Sequence, residues 1–351
     1  MKYRTAALFT ATVAAACALL IFPAQAAAGA LKGVSYSLEI LIPSLYPFMV
    51  LSVFVVRSGL AAKLGKHLEG PTRALFRLPG CTAASVLMSV IGGFPAGARS
   101  VASLYEAGAI SEEQAQRMLY FCVNAGPSFL ITAVGAGFLK SPASGALLFC
   151  TQITVFLLLG LISGTLGHAE KPGKTPEVKA DAEATRAFIA SAADGATSVL
   201  SMCCFVVLFA ALMNLLRLLP FSPALSAAVS AMLEVTGGCS DLARLGVPLW
   251  AVAFAVGWGG ICVHFQVFAF TSAIRYSRLR FLFFRFLQGV LSAAVCKCYL
   301  LLLPQSVAAS AGTSGFVSAG LSGSVPASVA LIALCAVLIL SVGRKGLESD
   351  C

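Results

Sequence analysis

"SVIGGFPAGARS", residues 89–100, closes a stretch that carries no charge from Leu78 to Ala98 and therefore reads as membrane-buried. Its centre is Gly92, Gly93, Pro95 and Gly97, a combination that cannot continue a helix. In hydrocarbon each unpaired backbone group costs several kcal/mol. A chain that breaks its helix there needs something to satisfy the freed groups.

The surrounding composition fixes the class. Hydrophobic residues make up 59% of the 351 positions and charged residues only 11%, against roughly 25% charged in a soluble domain. Uncharged runs at 5–31, 40–56, 118–139, 141–169, 195–216, 245–274 and 298–343 match or approach the roughly 20 apolar residues that one crossing needs. The expected fold is an all-α polytopic membrane protein, located in the cell membrane. Its net charge of +10 then belongs to loops beside anionic lipid, and nucleic acid is not an expected partner. The twelve cysteines contain no CxxC pair and fall mostly inside apolar runs, as small buried hydrophobes do.

The positive-inside rule threads the chain consistently. Lys2 and Arg4 start inside, and the N-terminal helix 1 with its loop occupies 1–38. "MKYRTAALFTATVAAACALLIFPAQA" also has the form of a cleavable signal peptide ending at Ala24-Gln25-Ala26; the threading uses it as a retained helix. A first repeat, 39–140, holds helix 2 (39–56), a basic loop at 57–79, a broken segment at 81–105 and helix 3 (112–140). Helix 4 and a cytoplasmic linker fill 141–187, with the polar linker at 168–187. A second repeat, 188–275, holds helix 5, a second hairpin at 225–245 and helix 6 (247–274). Helices 7 (280–303) and 8 (326–343) and the tail fill 276–351, with an external loop at 305–325. This gives about eight transmembrane helices plus two re-entrant helical hairpins, with both termini cytoplasmic. Gly173-Lys174-Thr175 is not a P-loop, because the earlier glycine is out of register and no strand precedes it.

The two repeats echo one another. "SVLMSVIGGFPAGARSVASL" (85–104) parallels "SAMLEVTGGCSDLARL" (230–245), with Gly92-Gly93 set against Gly237-Gly238. Each precedes an apolar helix with its own weak point, "FCVNAGPSF" (121–129) and "AVGWGGICVHFQ" (255–266). By the threading, the hairpins enter from opposite faces, so the halves are inverted repeats. Paired Gly/Pro-interrupted segments in corresponding positions point to a transporter binding site near the midplane. Broken backbone at that depth lines a polar cavity or is buried in protein.

These residues also resemble a known family. Residues 92–139 and 233–267 are similar to the two Gate, or nucleoside-recognition, segments of the sporulation integral membrane protein YlbJ family, and "LIPSLYPFMVLSVFV" (41–55) resembles its second helix. The resemblance covers roughly 30–303 and implies a Gate-type inverted repeat with hairpins and unwound helices. It implies movement of a small anionic or nucleoside-like solute, such as a spore-associated pyridine dicarboxylate. The alternative is a non-transporting sporulation scaffold or assembly factor that retains the Gate fold.

The expected substrate contacts are Gly92, Gly93, Pro95, Asn124, Ser128, Thr236, Gly237, Gly238, His264 and Gln266. Asn124 offers both a donor and an acceptor at the break in helix 3, and His264 offers a proton site beside Gly259-Gly260. Glu234 is the one acid between Leu218 and Ser240; at that depth it should face a cavity or be protonated, as a site for proton or sodium coupling or for the solute. Arg99 either neutralises an anionic solute or sits in solvent. Asp241 and Arg244 read as a surface pair, and Glu106, Glu112, Glu113 and Arg117 as a solvated face behind the N-cap Ser111. No Ser-His-Asp, HExxH or paired-carboxylate arrangement points to an enzyme, and no cofactor or metal is expected. The expected partners are a small-molecule solute and the bilayer, with a homo-oligomer compatible with the sequence.

Overall fold

A computed structural model describes residues 2–166 and 184–302. Predicted helix 8, the loop at 305–325 and most of the linker at 168–187 lie outside these residues. The described elements are all helical: α1 (Lys2–Ile21), α2 (Pro23–Tyr36), α3 (Ile42–Arg57), α4 (Leu60–Phe76), α5 (Ala83–Ile91), α6 (Phe94–Glu106), α7 (Glu112–Leu119), α8 (Pro142–Leu166), α9 (Ala184–Leu216), α10 (Pro223–Leu233), α11 (Val235–Arg244), α12 (Leu249–Trp258), α13 (Gly260–Phe270) and α14 (Arg278–Leu302). A π-helical turn at Ser37–Leu41 joins α2 to α3, and a π-helical stretch at Ser128–Phe138 follows α7.

Four helical segments are long and apolar enough to cross a membrane: Pro142–Thr165, Ala184–Leu216, Leu249–Phe270 and Arg278–Leu302. Two bent pairs, α1 with α2 at 98° and α3 with α4 at 85°, raise the number to as many as six. The protein is thus a multi-pass helical membrane protein. Predicted helix 3 does not count among these spans, because it is split into α7 and the π-helical stretch with non-helical residues between them. Its start is as expected: Ser111 caps α7 in a reciprocal box with Gln114.

Two regions read as loops are helices instead. The residues after helix 1 form α2, whose Gly29 and Gly33 let it lie against α9. A Cβ at Gly29 would stand 2.6 Å from the Ala210 carbonyl oxygen, and one at Gly33 2.7 Å from Val207 Cα. Close backbone approach offsets the poor helix propensity of glycine. The basic loop at 57–79 is largely α4. It buries Ala61, Gly65, Thr72 and Phe76 on one face and exposes Lys63, Lys66 and Arg73 on the other, a 3.6-residue periodicity obscured by the charge content.

The longest contact runs along α2–α3 and the 33-residue α9. Asn214 donates to Gln25 O at one end (2.7 Å), and Arg57 pairs with Asp194 at the other (2.6 Å), so the two run antiparallel. Beside this pair, α12 packs on α14, and α8 packs on both α14 and the π-helical stretch. Gly160 and Gly164 of α8 lie against Phe76 at the end of α4, where the small residues permit close packing. Leu200 and Leu208 of α9, like Phe283 and Leu301 of α14, are exposed on the outside, where lipid meets a membrane protein.

Candidate functional site

The opening motif forms a helical hairpin. Its first limb is α5 and its second α6, joined by a buried Ser85–Ser100 hydroxyl hydrogen bond at 2.6 Å. At the tip Gly93 takes φ 85° and ψ −170°, a region open essentially to glycine alone. Pro95 lies in the first turn of α6, where its missing N–H deprives the helix of nothing. Gly92, Gly93, Pro95 and Gly97 are all buried.

A second hairpin is built from α10 and α11, but its tip differs from the expected one. The chain turns at Glu234, in extended conformation (φ −143°, ψ 121°), while Gly237 and Gly238 lie inside α11. The matching of Gly92-Gly93 with Gly237-Gly238 is therefore out by one helical turn. Gly238 corresponds to Gly97: each sits a turn beyond its tip and lets the second limb press against the first. A Cβ at Gly97 would stand 2.7 Å from Ser89 Cβ, and one at Gly238 2.6 Å from Ala231 N. The glycine pair misled because it serves packing in one hairpin and the turn in the other.

Both apolar helices break where expected. Between α7 and the π-helical stretch, Tyr120–Gly126 are non-helical, and α12 ends at Gly259, which like Gly260 has positive φ (84° and 79°). Each hairpin tip meets a break. A Cβ at Gly93 would lie 3.1 Å from Gly126 N, and one at Gly260 3.0 Å from Val235 N and 3.2 Å from Glu234 Cα. The halves also interlock, since Phe94 at the head of α6 lies against Gly259, α6 packs on α13, and α11 packs on the π-helical stretch. Two tips and two breaks share one region.

The freed backbone groups are satisfied by side chains. Glu234 caps its own helix, accepting from Thr236 N (2.8 Å) and Gly237 N (2.6 Å) through separate carboxylate oxygens. His264 bridges Nε2 to Trp258 O (2.8 Å); a carbonyl only accepts, so Nε2 carries the proton, and Nδ1 is left without a partner. The Trp258 indole donates to Met232 O at the end of α10 (3.0 Å). Asn124 donates to Phe121 O (2.6 Å) and accepts from Gln288 (2.7 Å). Gln266 is buried and donates to Cys262 Sγ (3.4 Å). Thr236 is half-buried and Ser128 exposed, so Ser128 lies at the edge of the cluster and not within it.

Arg99 is held by Glu106 (3.3 Å) and Asp194 (3.8 Å). Two further readings are corrected. Asp241 pairs with Arg217 (2.8 Å) and not with Arg244. Arg117 belongs to no solvated face: it is buried and donates to Phe76 O (2.7 Å) and Ser163 O (3.1 Å), closing the end of α4 against α8.

Sequence reading missed α14 as a contributor. Arg285 is fully buried and donates to Tyr120 O (2.6 Å) and Val123 O, two carbonyls of the first break. One turn on, Gln288 reaches Asn124 and Gln152, and Gln152 donates to Ser292 (3.0 Å). An arginine at the centre of a membrane helix costs about 2.5–3.5 kcal/mol on insertion scales. Its place inside "RFLFFRFLQGVLS" (280–292) was the available signal, hidden by the basic cluster just before it.

No family model and no solved structure matches the chain. It is similar to the sporulation integral membrane protein YlbJ of Bacillus subtilis (strain 168), at 28% identity over 74% of each chain. That similarity, over a chain built of apolar helices, supports its assignment to the YlbJ family of sporulation integral membrane proteins.

Proposed function

We propose that the protein is a secondary transporter of a small anionic or nucleoside-like solute, with the resemblance to sporulation proteins making a pyridine dicarboxylate the first candidate. The observation that carries this reading is the meeting of two hairpin tips with two helix breaks, joined across the halves by Phe94 against Gly259. Discontinuous helices with their ends turned on a common point are how transporters expose backbone dipoles to a solute within the bilayer. Asn124, His264 and Gln266 supply side-chain polarity there, and Glu234 is the coupling site for protons or sodium. No bond-breaking chemistry and no cofactor is assigned to the site.

The topology belongs to the same proposal: eight spans and two re-entrant hairpins in a Gate-type inverted repeat, with both termini cytoplasmic. Two features support it. Helix pair α2–α3 and helix α9, the matching scaffolds of the two halves, run antiparallel as inversion requires. Asp194 and Arg217 stand about 35 Å apart along α9 at about 1.5 Å per residue, close to the thickness of a hydrocarbon core. Each holds the second limb of a different hairpin, through Arg99 and Asp241.

The test is uptake by proteoliposomes against a panel of nucleosides and small dicarboxylates. Accumulation or exchange of one of them is expected; failure with all of them favours the scaffold reading. Single cysteines at Lys63 and Phe221, on a background free of native thiols, should label from opposite faces.

A further inference from the structure

Resting on the transport reading, we propose that the solute's anionic group is taken by the first half of the site alone. Its subsite is the head of α6 together with the break at Tyr120–Gly126, and Arg285 is its fixed positive charge. The second half receives the uncharged end of the solute.

The asymmetry lies in how the two hairpins treat their helix N-termini. A helix N-terminus carries partial positive charge and unsatisfied N–H groups. At α11 both are answered within the protein, because the Glu234 carboxylate sits on the first N–H groups. At α6, a helix of 13 residues, no side chain caps the N-terminus, although Phe94, Pro95 and Ala96 are buried. Its tip residue Gly93 rests against Gly126.

The same break holds a second, independent feature. Arg285 is 0% exposed, and among the described residues no carboxylate pairs with it. Two of its nitrogens are fixed on Val123 O and Tyr120 O, while Nε has no partner. The guanidinium lies over the Phe281 ring at 5.6 Å, a cation–π contact that helps to hold it in place. Gln288, also fully buried, leaves Oε1 unpartnered while its Nε2 holds Asn124. One side of the site thus gathers a bare helix N-terminus and an unneutralised guanidinium, and the other has its own carboxylate. An anion entering between them is drawn to the first side and repelled by the second. The arginine acts partly by positioning, since its bonds to the carbonyls hold the break open.

The experiment uses the full chain in proteoliposomes, with a pyridine dicarboxylate and uridine as charged and uncharged probes, and thermal unfolding of the same samples with and without each probe. Arg285→Gln should raise KM for the dicarboxylate about tenfold to a hundredfold with little change for uridine, and Arg285→Lys should recover part of that loss. Gln288→Glu, which sets a carboxylate against the first half and leaves Arg285 in place, should weaken the dicarboxylate in the same selective way if Arg285→Gln fails to fold. Arg280→Gln, at the exposed start of α14, is the neutral control. Equal loss for both probes, or a wild type that carries uridine and ignores the dicarboxylate, overturns the subsite. If wild type transports neither probe, the subsite is judged on unfolding: stabilisation by the dicarboxylate that disappears in Arg285→Gln upholds it, and no stabilisation overturns it; the transport reading itself fails only if the rest of the panel is refused as well.

Discussion

The two hairpins solve one problem with opposite chemistry. Each must reverse the chain in the protein interior and start a new helix there. The first does so with Gly93, a residue without a side chain in a conformation closed to others, and leaves the new helix uncapped. The second turns at Glu234 in ordinary extended geometry and caps the new helix with that residue's own carboxylate. Similar shape therefore does not mean similar electrostatics. An approximate repeat can offer a solute two unlike faces.

The largest effect that separates the two comes from Gly93. Gly93→Val places a branched side chain at φ 85° and beside Gly126 N, so well-folded, active protein should be lost. Gly238→Val should be comparably severe for a different reason, overlap with the Ala231 backbone and not a forbidden dihedral. Asparagine rescues neither, because its tolerance of positive φ belongs to the left-handed helical region and Gly93 sits at ψ −170°. Gly93→Asn and Gly238→Asn should both lose folded yield, as read by size-exclusion profile and melting temperature.

Smaller effects are expected at the caps. Glu234→Ala removes both cap bonds and should destabilise by about 0.5–2 kcal/mol. Glu234→Ser restores a good N-cap without the carboxylate. It should therefore recover stability while transport loses its dependence on pH or sodium; full recovery of both would reduce Glu234 to a cap. His264→Ala strands Trp258 O and should lower stability by about 1–3 kcal/mol, detectable as an earlier unfolding transition. The smallest change is expected at the surface. Arg217→Ala and Asp241→Ala break an accessible ion pair, for which about 0–1 kcal/mol is normal, and the melting point should hardly move.

The helical membrane class, the two hairpins and both breaks were legible in the sequence, because Gly-Gly and Asn-Ala-Gly-Pro inside uncharged runs leave few other readings. Two things were not. The tip of the second hairpin was misplaced because glycine marks both tight turns and close packing, and only the backbone at Glu234 and Gly238 tells them apart. Arg285 was passed over because a charge near Arg278 and Arg280 reads as the end of a span, and nothing local reveals that it reaches carbonyls more than 160 positions earlier. Similarly, the face of α4 was masked by its lysines and arginines, and α2 by its alanines and glycines, whose helical state depends on α9. Local pattern reports breaks well; it does not report what answers them.

The central claim is that both halves form one site. Single cysteines at Ser128 in the first half and Thr236 in the second, each on a thiol-free background, measure this through their alkylation rates with and without a transported solute. Slowing at both positions by the same solute is the predicted result. Unchanged rates at both positions in the presence of a solute that the same protein transports would contradict it.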